Sequence, residues 1–461
     1  MKAFIRKCKA KWMDTGVPNR WDWAIFGITF FLSYFVFAQG YDLLIITPQA
    51  NEFIDMLFTG RILQYHDIVP HANYSEFIYL VYGLLLLPLR AAGWLFGVEL
   101  HSSQLFVIFY GKFIISVWWA ATSFIFCKLA KILGATKNNT KWALYLFLTS
   151  PILLYSSILF GQVDIFSVAF TLLALLHFCK KQYWLFTLVM IPAICCKVFA
   201  LFIFIPLILL VEKRILRLGL YTLCAMSGFI GSRLLYMGSE GFKQTQQWAE
   251  EVYGFYGRFF SGNFFGHKIS IFAFFFILIC FACYAMRVNE KKIFAYVVSI
   301  PIIIYSFLFM FYEPFHVQWF TVITPYAALM ILQQKNRRLA LIADLLFQFG
   351  CLAVAIFVFH PHIRHLMNNA LLPVIFQRTY EGPLLLDYAI SVFPLAVAAI
   401  RTLYFASLTI LAGMAAYQLL RKDDESSIDR PLLLDRSFIW LRPGILVIVV
   451  MIPLLVLHTI R

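Results

Sequence analysis

The sequence predicts an all-α polytopic membrane protein, and three observations carry that prediction. The chain has 461 residues, of which 62% are hydrophobic and 13% charged, and its mean hydropathy is +0.81. Uncharged apolar runs recur that match the about 20 helical residues needed to cross a bilayer core. Segments of about ten alternating residues, which are typical of a transmembrane barrel, do not occur in the sequence.

The first apolar run, residues 24–40, follows the basic segment "MKAFIRKCKAKW" and ends without a good small-residue cleavage site. We therefore predict an uncleaved first span with the preceding segment in the cytosol. Lys and Arg on cytoplasmic loops that face anionic lipid account for most of the net charge of +15. Membrane lipids are thus expected partners, and nucleic acid is not.

The positive-inside rule orders the remaining segments. Residues 142–179 are long enough for two spans that turn outside at "SSILFGQVD". Residues 182–211 fit either two short spans that meet at Lys197 or one long tilted helix. Later spans are placed at 215–235, at 269–287, within 293–334, within 339–420 and at 444–460, which brings the count to about 13.

The segment "YSEFIYLVYGLLLLPL", residues 74–89, has two interpretations. It is apolar enough to cross the membrane, but a crossing would carry the basic residues of 128–141 to the outside. We therefore favour juxtamembrane helices on the outer leaflet, with a literal crossing as the alternative. The first external loop then covers about 41–103, and the fourth covers about 236–268.

Ionisable residues crowd the predicted external side, where they are costly unless they serve a function. Asp42 follows the first span, Gln162 and Asp164 belong to "GQVD", and Lys197 interrupts an apolar stretch without a nearby acidic partner in the sequence. Such a mixed lining suits a lipid phosphate substrate, because cations bind the phosphate and a carboxylate can accept a proton.

These residues also have structural interpretations. Helix capping would account for Asp42, Gln162 and Asp164. Glu52 and Asp55, one helical turn apart, fit the solvated face of an interfacial helix. Both interpretations stay open at the level of the sequence.

No motif indicates a nucleotide or a metal. The chain has no GxGxxG, Walker, GxSxG, HExxH or DxD motif, which favours a lipid-linked donor over a nucleotide donor. The histidines of "HPHIRH" at 360–365 lack the spacing and the additional ligands of a zinc site. We predict no metal and no cofactor.

Residues 150–210 contain a pattern of four features in order. A Pro and a small-residue turn precede "GQVD", and a Lys with a Pro-containing apolar segment follows downstream. This pattern resembles the GT-C glycosyltransferases that use polyprenyl-phosphate sugars, especially the bacterial relatives of the GPI mannosyltransferases. It is also similar to the dolichyl-phosphate-glucose transferases of the N-glycan pathway. The matching positions are Pro151, Gly161, Gln162, Asp164, Lys197 and Pro206.

Further positions extend the resemblance to about residue 330. The family carries a catalytic acid in the first external loop, followed by a Gly and an "nYxP" segment, to which Asp42, Gly60 and "ANYSEF" correspond. Arg258 and Asn263 match an Arg and an Asn of the fourth loop, and His316 matches a histidine at the external end of a later span. Alone, such a histidine is more often a hydrogen-bonded residue at a helix end.

The chain departs from the family pattern in three places. The interval from Asp42 to Gly60 is longer than usual, which leaves Asp55 as the alternative catalytic residue. The Pro after "nY" is missing, since Ser75 and Glu76 follow Tyr74. The family's "HER"-like ending is "HVQ" here.

The resemblance implies a GT-C fold, with a GT-C-like module over 1–268 and a C-terminal transmembrane module over 269–461. It implies inverting transfer of one hexose, mannose or glucose, from a polyprenyl phosphate to a hydroxyl of a glycan, glycolipid or protein. Asp42 would be the general base, with a low pKa beside the cations. The residues implied in donor binding are Lys197, Arg258, His316, Gln162, Asp164 and Asn263.

The expected location is a bacterial plasma membrane, with the active site on the extracytoplasmic face and a cell-envelope glycan as the product. Two alternatives remain. A transporter or flippase of lipid-linked sugars would show repeats and charges near the bilayer midplane, which this sequence lacks. A glycan polymerase or ligase would share the lipid donor and transfer a whole oligosaccharide.

Overall fold

The computed structural model describes residues 16–36, 41–72, 74–253, 261–264, 267–311, 316–357, 394–421, 434 and 436–452. These residues form an all-α protein, apart from one short antiparallel hairpin in which β1 (Ser261–Phe264) pairs with β2 (His267–Ser270). The helices are α1 (Arg20–Phe31), α2 (Tyr41–Phe58), α3 (Tyr65–Ile68), α4 (Glu76–Phe96), α5 (Leu105–Ile132), α6 (Lys137–Leu148), α7 (Pro151–Leu153), α8 (Ile165–Cys179), α9 (Tyr183–Cys196), α10 (Phe199–Val211), α11 (Ile215–Tyr236), α12 (Glu240–Tyr253), α13 (Ile271–Ala285), α14 (Ile293–Phe311), α15 (Thr324–Gln333), α16 (Arg337–Phe357), α17 (Pro394–Leu420) and α18 (Arg436–Leu446).

Six helices in the described ranges have the length and composition to cross a membrane, and a bent pair formed by Lys137–Leu148 and Pro151–Leu159 raises this number to seven. The six are α4, α5, α11, α14, α16 and α17, in which α14 begins after a short 3₁₀ turn. The protein is therefore consistent with an integral membrane protein, as predicted. The count of about 13 spans stays a prediction.

The helices bear on two segments for which the sequence allowed two interpretations. Residues 182–211 form two helices, α9 and α10, separated at Lys197, and not one long tilted helix. At about 1.5 Å rise per residue, each is shorter than the ~30 Å bilayer core. Residues 76–89 of the segment 74–89 lie in α4, a continuous helix of 21 residues that has the length and composition of a span.

The turn at "GQVD" forms as predicted, and its geometry follows from the local sequence. Ser150 caps α7, with Pro151 at the first helical position, where proline loses no hydrogen bond. The helix then widens into a π-helical segment, Leu154–Leu159. Gly161 has a φ of 78°, a conformation that favours glycine, and a turn leads from there into α8.

The hydrophobic core runs without interruption through residues on both sides of position 268. Charged groups also join the two ends of the chain. Asp22 of α1 accepts a hydrogen bond from the Trp440 indole at 2.7 Å and lies 3.6 Å from a guanidinium nitrogen of Arg436. The division into modules 1–268 and 269–461 stays a prediction.

A second buried ion pair fixes α18 against α16. Arg442 Nε donates to Asp344 Oδ2 at 2.6 Å, and the same guanidinium donates to the Leu146 carbonyl and, at 3.1 Å, to Thr149 Oγ1. Gln348 donates to the other oxygen of Asp344 at 3.2 Å. Both side chains are buried, so the attraction between the two charges offsets the free energy that each loses when it leaves water.

We expect Asp344→Asn to cost about 3–5 kcal/mol of stability, because it leaves the buried guanidinium without a counter-charge. The double variant Asp344→Leu with Arg442→Met removes both charges and should recover part of the loss. The thermal midpoint in detergent measures both effects. A double variant no more stable than Asp344→Asn would contradict this account of the pair.

Candidate functional site

A cavity of about 700 Å³ brings together most of the residues that the sequence analysis singled out. Its wall is built from α2, the "GQVD" turn, the break between α9 and α10, the end of α11, α12 and the segment after His316. The side chains that carry charge or chemistry there are Asp42, His66, His71, Glu76, Gln162, Asp164, Lys197, Arg233 and His316.

Asp42 lies in the first turn of α2, where its backbone N–H donates to the Phe160 carbonyl at 3.2 Å. This bond ties the start of α2 to the "GQVD" turn. The residue is only 7% exposed. Its Oδ2 accepts a hydrogen bond of 2.8 Å from the Tyr74 hydroxyl, which also lies 3.4 Å from Gln162 Oε1. Asp42 is therefore a buried carboxylate at the cavity wall and not a solvated helix cap.

The prediction that Asp42 has a low pKa is wrong. The pKa of this carboxyl is raised to about 7, chiefly because burial removes the hydration of the charged form, and the nearby Asp164 acts in the same direction. The hydrogen bond from Tyr74 and the charge of Lys197 lower the pKa, but they do not compensate for burial. The pKa of Asp42 is therefore shifted from the usual range of an aspartate toward neutral pH.

Lys197 occupies the break between α9 and α10 in an extended conformation. Its Nζ lies 3.0 Å from Asp164 Oδ2, with the side chains 15% and 1% exposed. Lys197 has no acidic residue nearby in the sequence, but the fold supplies one in Asp164. The partner lies 33 positions earlier in the chain, so spacing gave no sign of it.

Asp164 immediately precedes α8, yet its side chain makes no capping hydrogen bond. Within the described ranges neither of its oxygens has an aligned hydrogen-bond donor, so the contact with Lys197 is ionic. The capping interpretation of Asp164 does not hold. Its carboxylate can accept hydrogen bonds from a bound molecule.

An aromatic wall continues from Lys197. The Nζ atom lies 4.6 Å from the Trp319 ring centre and 5.3 Å from that of Phe199, within cation–π distance. His316 packs against Trp319, with the two ring centres 4.5 Å apart. Its Nδ1 accepts a long hydrogen bond of 3.4 Å from Gln318. Trp319 thus places His316 in the same cavity as Lys197.

Asp55 does not join this group. Its carboxylate pairs with Arg90 at 2.6 Å, and it lies 13 residues from Asp42 on the same helix, roughly 20 Å away along the helix axis. Of the other two implied donor residues, Arg258 lies outside the described residues. The backbone of Asn263 belongs to β1, opposite Lys268, and its side chain is likewise outside them.

Sequence reasoning did not find a contact between a histidine and a carboxylate in the cavity wall. His66 Nε2 lies 2.9 Å from Glu76 Oε1, and the imidazole packs against the rings of Tyr236 and Phe242 at 4.7 and 5.0 Å. The pair links α3 to α4 and packs on α11 and α12. Its members come from separate helices, and no motif connects them.

The first and fourth external loops of the predicted topology are joined at α12. Asp67 Oδ1 accepts hydrogen bonds from Ser239 Oγ at 2.7 Å and from the Gly241 N–H at 2.9 Å. These bonds favour the ionised carboxylate and hold the pKa of Asp67 below its usual range. Trp248, further along α12, packs with its ring centre 5.0 Å from that of His71. The α12 helix therefore closes one side of the cavity.

The described residues contain no group of three His, Cys, Asp or Glu side chains arranged to hold a metal ion. The "HPHIRH" segment lies outside the described residues, and the expected independence of a metal stays a prediction.

No protein-family model matches this chain, and a search of curated proteins finds no match to it either. The resemblance to the GT-C enzymes therefore depends on the short motifs quoted above.

We expect Gly241→Ala to weaken the docking of α12 on α3. A Cβ at this position would lie 2.0 Å from the carbonyl oxygen of His66, so one backbone must move. Overpacking of this kind costs about 1–3 kcal/mol, which would lower the thermal midpoint in detergent. Gly238→Ala is the matched control, because a Cβ there meets nothing within 4 Å. An equal loss in both variants would rule out the close approach as the cause.

Proposed function

We propose that the protein is an integral-membrane glycosyltransferase that moves one hexose from a polyprenyl phosphate to an acceptor hydroxyl, with inversion. The observation that carries the proposal is the cavity shared by Asp42 and Lys197, a buried carboxylate and a cation next to membrane-capable helices. The GT-C resemblance assigns a base and a phosphate ligand to the same two positions. Mannose and glucose are the proposed sugars.

The proposed base has the properties that this reaction requires. The acceptor oxygen attacks the anomeric carbon, the bond from that carbon to the phosphate oxygen breaks, and the hydroxyl proton passes to Asp42. A base is most effective when its pKa lies near the working pH, and burial raises the pKa of Asp42 to about 7. The lipid phosphate leaves as a stable anion and needs no proton.

The proposed donor site lies around Lys197. Its ammonium group would bind the phosphate, with His316 beside it and Arg258 and Asn263 contributed by the fourth loop. Gln162 and the carboxylate of Asp164, whose oxygens have no aligned donor among the described residues, would accept hydrogen bonds from the hexose hydroxyls.

The proposed location of the lipid follows from the apolar part of the cavity wall. Ile45, Ile194, Val198 and Phe229 line it, and they would contact the first isoprenoid units. The acceptor would be a glycan, glycolipid or protein on the extracytoplasmic face of a bacterial plasma membrane, and no metal or other cofactor takes part in this proposal.

The proposal predicts that purified protein consumes labelled polyprenyl-phosphate hexose in detergent and that Asp42→Asn abolishes transfer while still binding the donor. Asp55→Asn should retain transfer, because Asp55 faces Arg90 and not the cavity. Thin-layer separation of lipid-linked and transferred label measures the activity of both variants.

Full transfer activity of Asp42→Asn would refute the role of Asp42 as the base. Loss of transfer only in Asp55→Asn would assign the base to Asp55. A carrier or an oligosaccharide ligase would leave this donor intact.

Replacement of Lys197 tests the donor site. We expect Lys197→Met to weaken donor binding by about tenfold or more, since it removes a charged hydrogen-bond donor to phosphate. Binding of labelled donor at equilibrium measures the change. Lys243→Met is the control, because Lys243 pairs with Glu240 and does not line the cavity. An unchanged donor affinity in Lys197→Met would contradict the assignment.

A further inference from the structure

Tyr74 connects the proposed base to the "GQVD" turn. We propose that Tyr74 is a positioning residue that holds the carboxylate of Asp42 ready to accept the proton of the acceptor hydroxyl. This inference rests on the proposed function. The resemblance contributes only the letter Y of a degenerate segment at this position, whereas the role comes from the contacts that follow.

Hydrogen bonds of both the side chain and the backbone hold Tyr74 in place. Its hydroxyl donates to Asp42 Oδ2 at 2.8 Å and lies 3.4 Å from Gln162 Oε1. The backbone N–H of Tyr74 donates to the Tyr79 hydroxyl at 3.0 Å, and the two rings meet edge to face. Tyr79 is buried on α4 and donates in turn to Gln49 Oε1 of α2 at 3.0 Å. Tyr74 is therefore anchored to both helices that flank the cavity.

One hydroxyl proton serves two acceptors of unequal strength. The shorter contact goes to the carboxylate, and hydrogen bonds to a charged acceptor are the stronger ones. The bond engages Oδ2 and restrains rotation of the carboxylate, so Oδ1 is the oxygen that would meet the acceptor hydroxyl. When Asp42 takes up the proton, Gln162 Oε1 offers the phenol a second acceptor nearby.

The same bond acts on the charge of the base. Burial and Asp164 favour the protonated form of Asp42, whereas the Tyr74 hydroxyl stabilises the carboxylate and lowers the pKa. Without it, the base would be protonated over more of the neutral range. Tyr74 would then contribute both the orientation and the ionised fraction of the base.

The chain offers a matched control for the loss of a buried tyrosine hydroxyl. Tyr82, also on α4, places its hydroxyl 3.2 Å from Thr47 Oγ1 of α2, and both groups are buried. It packs at the interface of the same two helices and does not line the cavity. Tyr82→Phe therefore removes a comparable hydrogen bond between them without touching a carboxylate.

The test is the pH dependence of kcat for the wild-type protein, Tyr74→Phe and Tyr82→Phe, with labelled polyprenyl-phosphate hexose as donor. The wild-type rate should rise with pH through about 7, as Asp42 loses its proton. Tyr74→Phe should move this rise upward by about one to two pH units, with much of the rate recovered at high pH. Tyr82→Phe should leave the rise where it is.

An infrared titration provides a readout that does not depend on transfer. The carboxyl band that disappears in Asp42→Asn should titrate at higher pH in Tyr74→Phe than in the wild type. Rates lowered equally at all pH values, with an unmoved Asp42 band, would overturn the proposal and leave Tyr74 a structural residue. If the wild-type protein transfers no sugar, the proposed function fails, and the band alone decides whether Tyr74 controls the ionisation of Asp42.

Discussion

The ion pair between Lys197 and Asp164 connects two interruptions in otherwise apolar helices. Lys197 stands in the break between α9 and α10, and Asp164 ends the turn that precedes α8. A buried charge without a partner costs several kcal/mol, so the two interruptions stabilise each other. Because they meet, the "GQVD" turn and the helix break form adjacent parts of one cavity wall.

Two carboxylates in this cavity have different surroundings, and the difference separates their proposed roles. Asp164 has a lysine ammonium at 3.0 Å, whereas Asp42 is buried and has a phenol at 2.8 Å. Burial therefore dominates at Asp42 and raises its pKa to about 7. Pairs of titratable groups placed in contrasting environments are a common way to divide acid–base and electrostatic work within one site.

Ion pairs and hydrogen bonds also hold other described helices together. The pairs of Asp344 with Arg442 and of Asp22 with Arg436 join the last described helix to earlier ones. On the cavity side, His66 and Glu76 hold α3 to α4, and the bonds of Asp67 hold α12 to α3. The contact between α12 and α3 requires a glycine at position 241, because a Cβ there would clash with the backbone of His66.

The all-α class and the turn at "GQVD" could be predicted from the sequence, because each depends on residues close together in the chain. A helix break at Lys197 was one of two interpretations of residues 182–211, and the helices α9 and α10 decide for it. Apolar runs define the helices, and a glycine with positive φ or a charged residue marks where a run must stop. The short motifs also singled out Asp42, Asp164 and Lys197 as site residues. These are local properties, and a single sequence displays them.

Only the tertiary structure decided which of these groups meet and how they ionise. Tyr74 reaches Asp42 across 32 positions and Gln162 across 88, and no pattern in the sequence connects them. The predicted low pKa of Asp42 was wrong for the same reason. The cations were visible in the sequence, but the loss of water around the carboxylate depends on the packing of distant helices, and that loss is the larger effect.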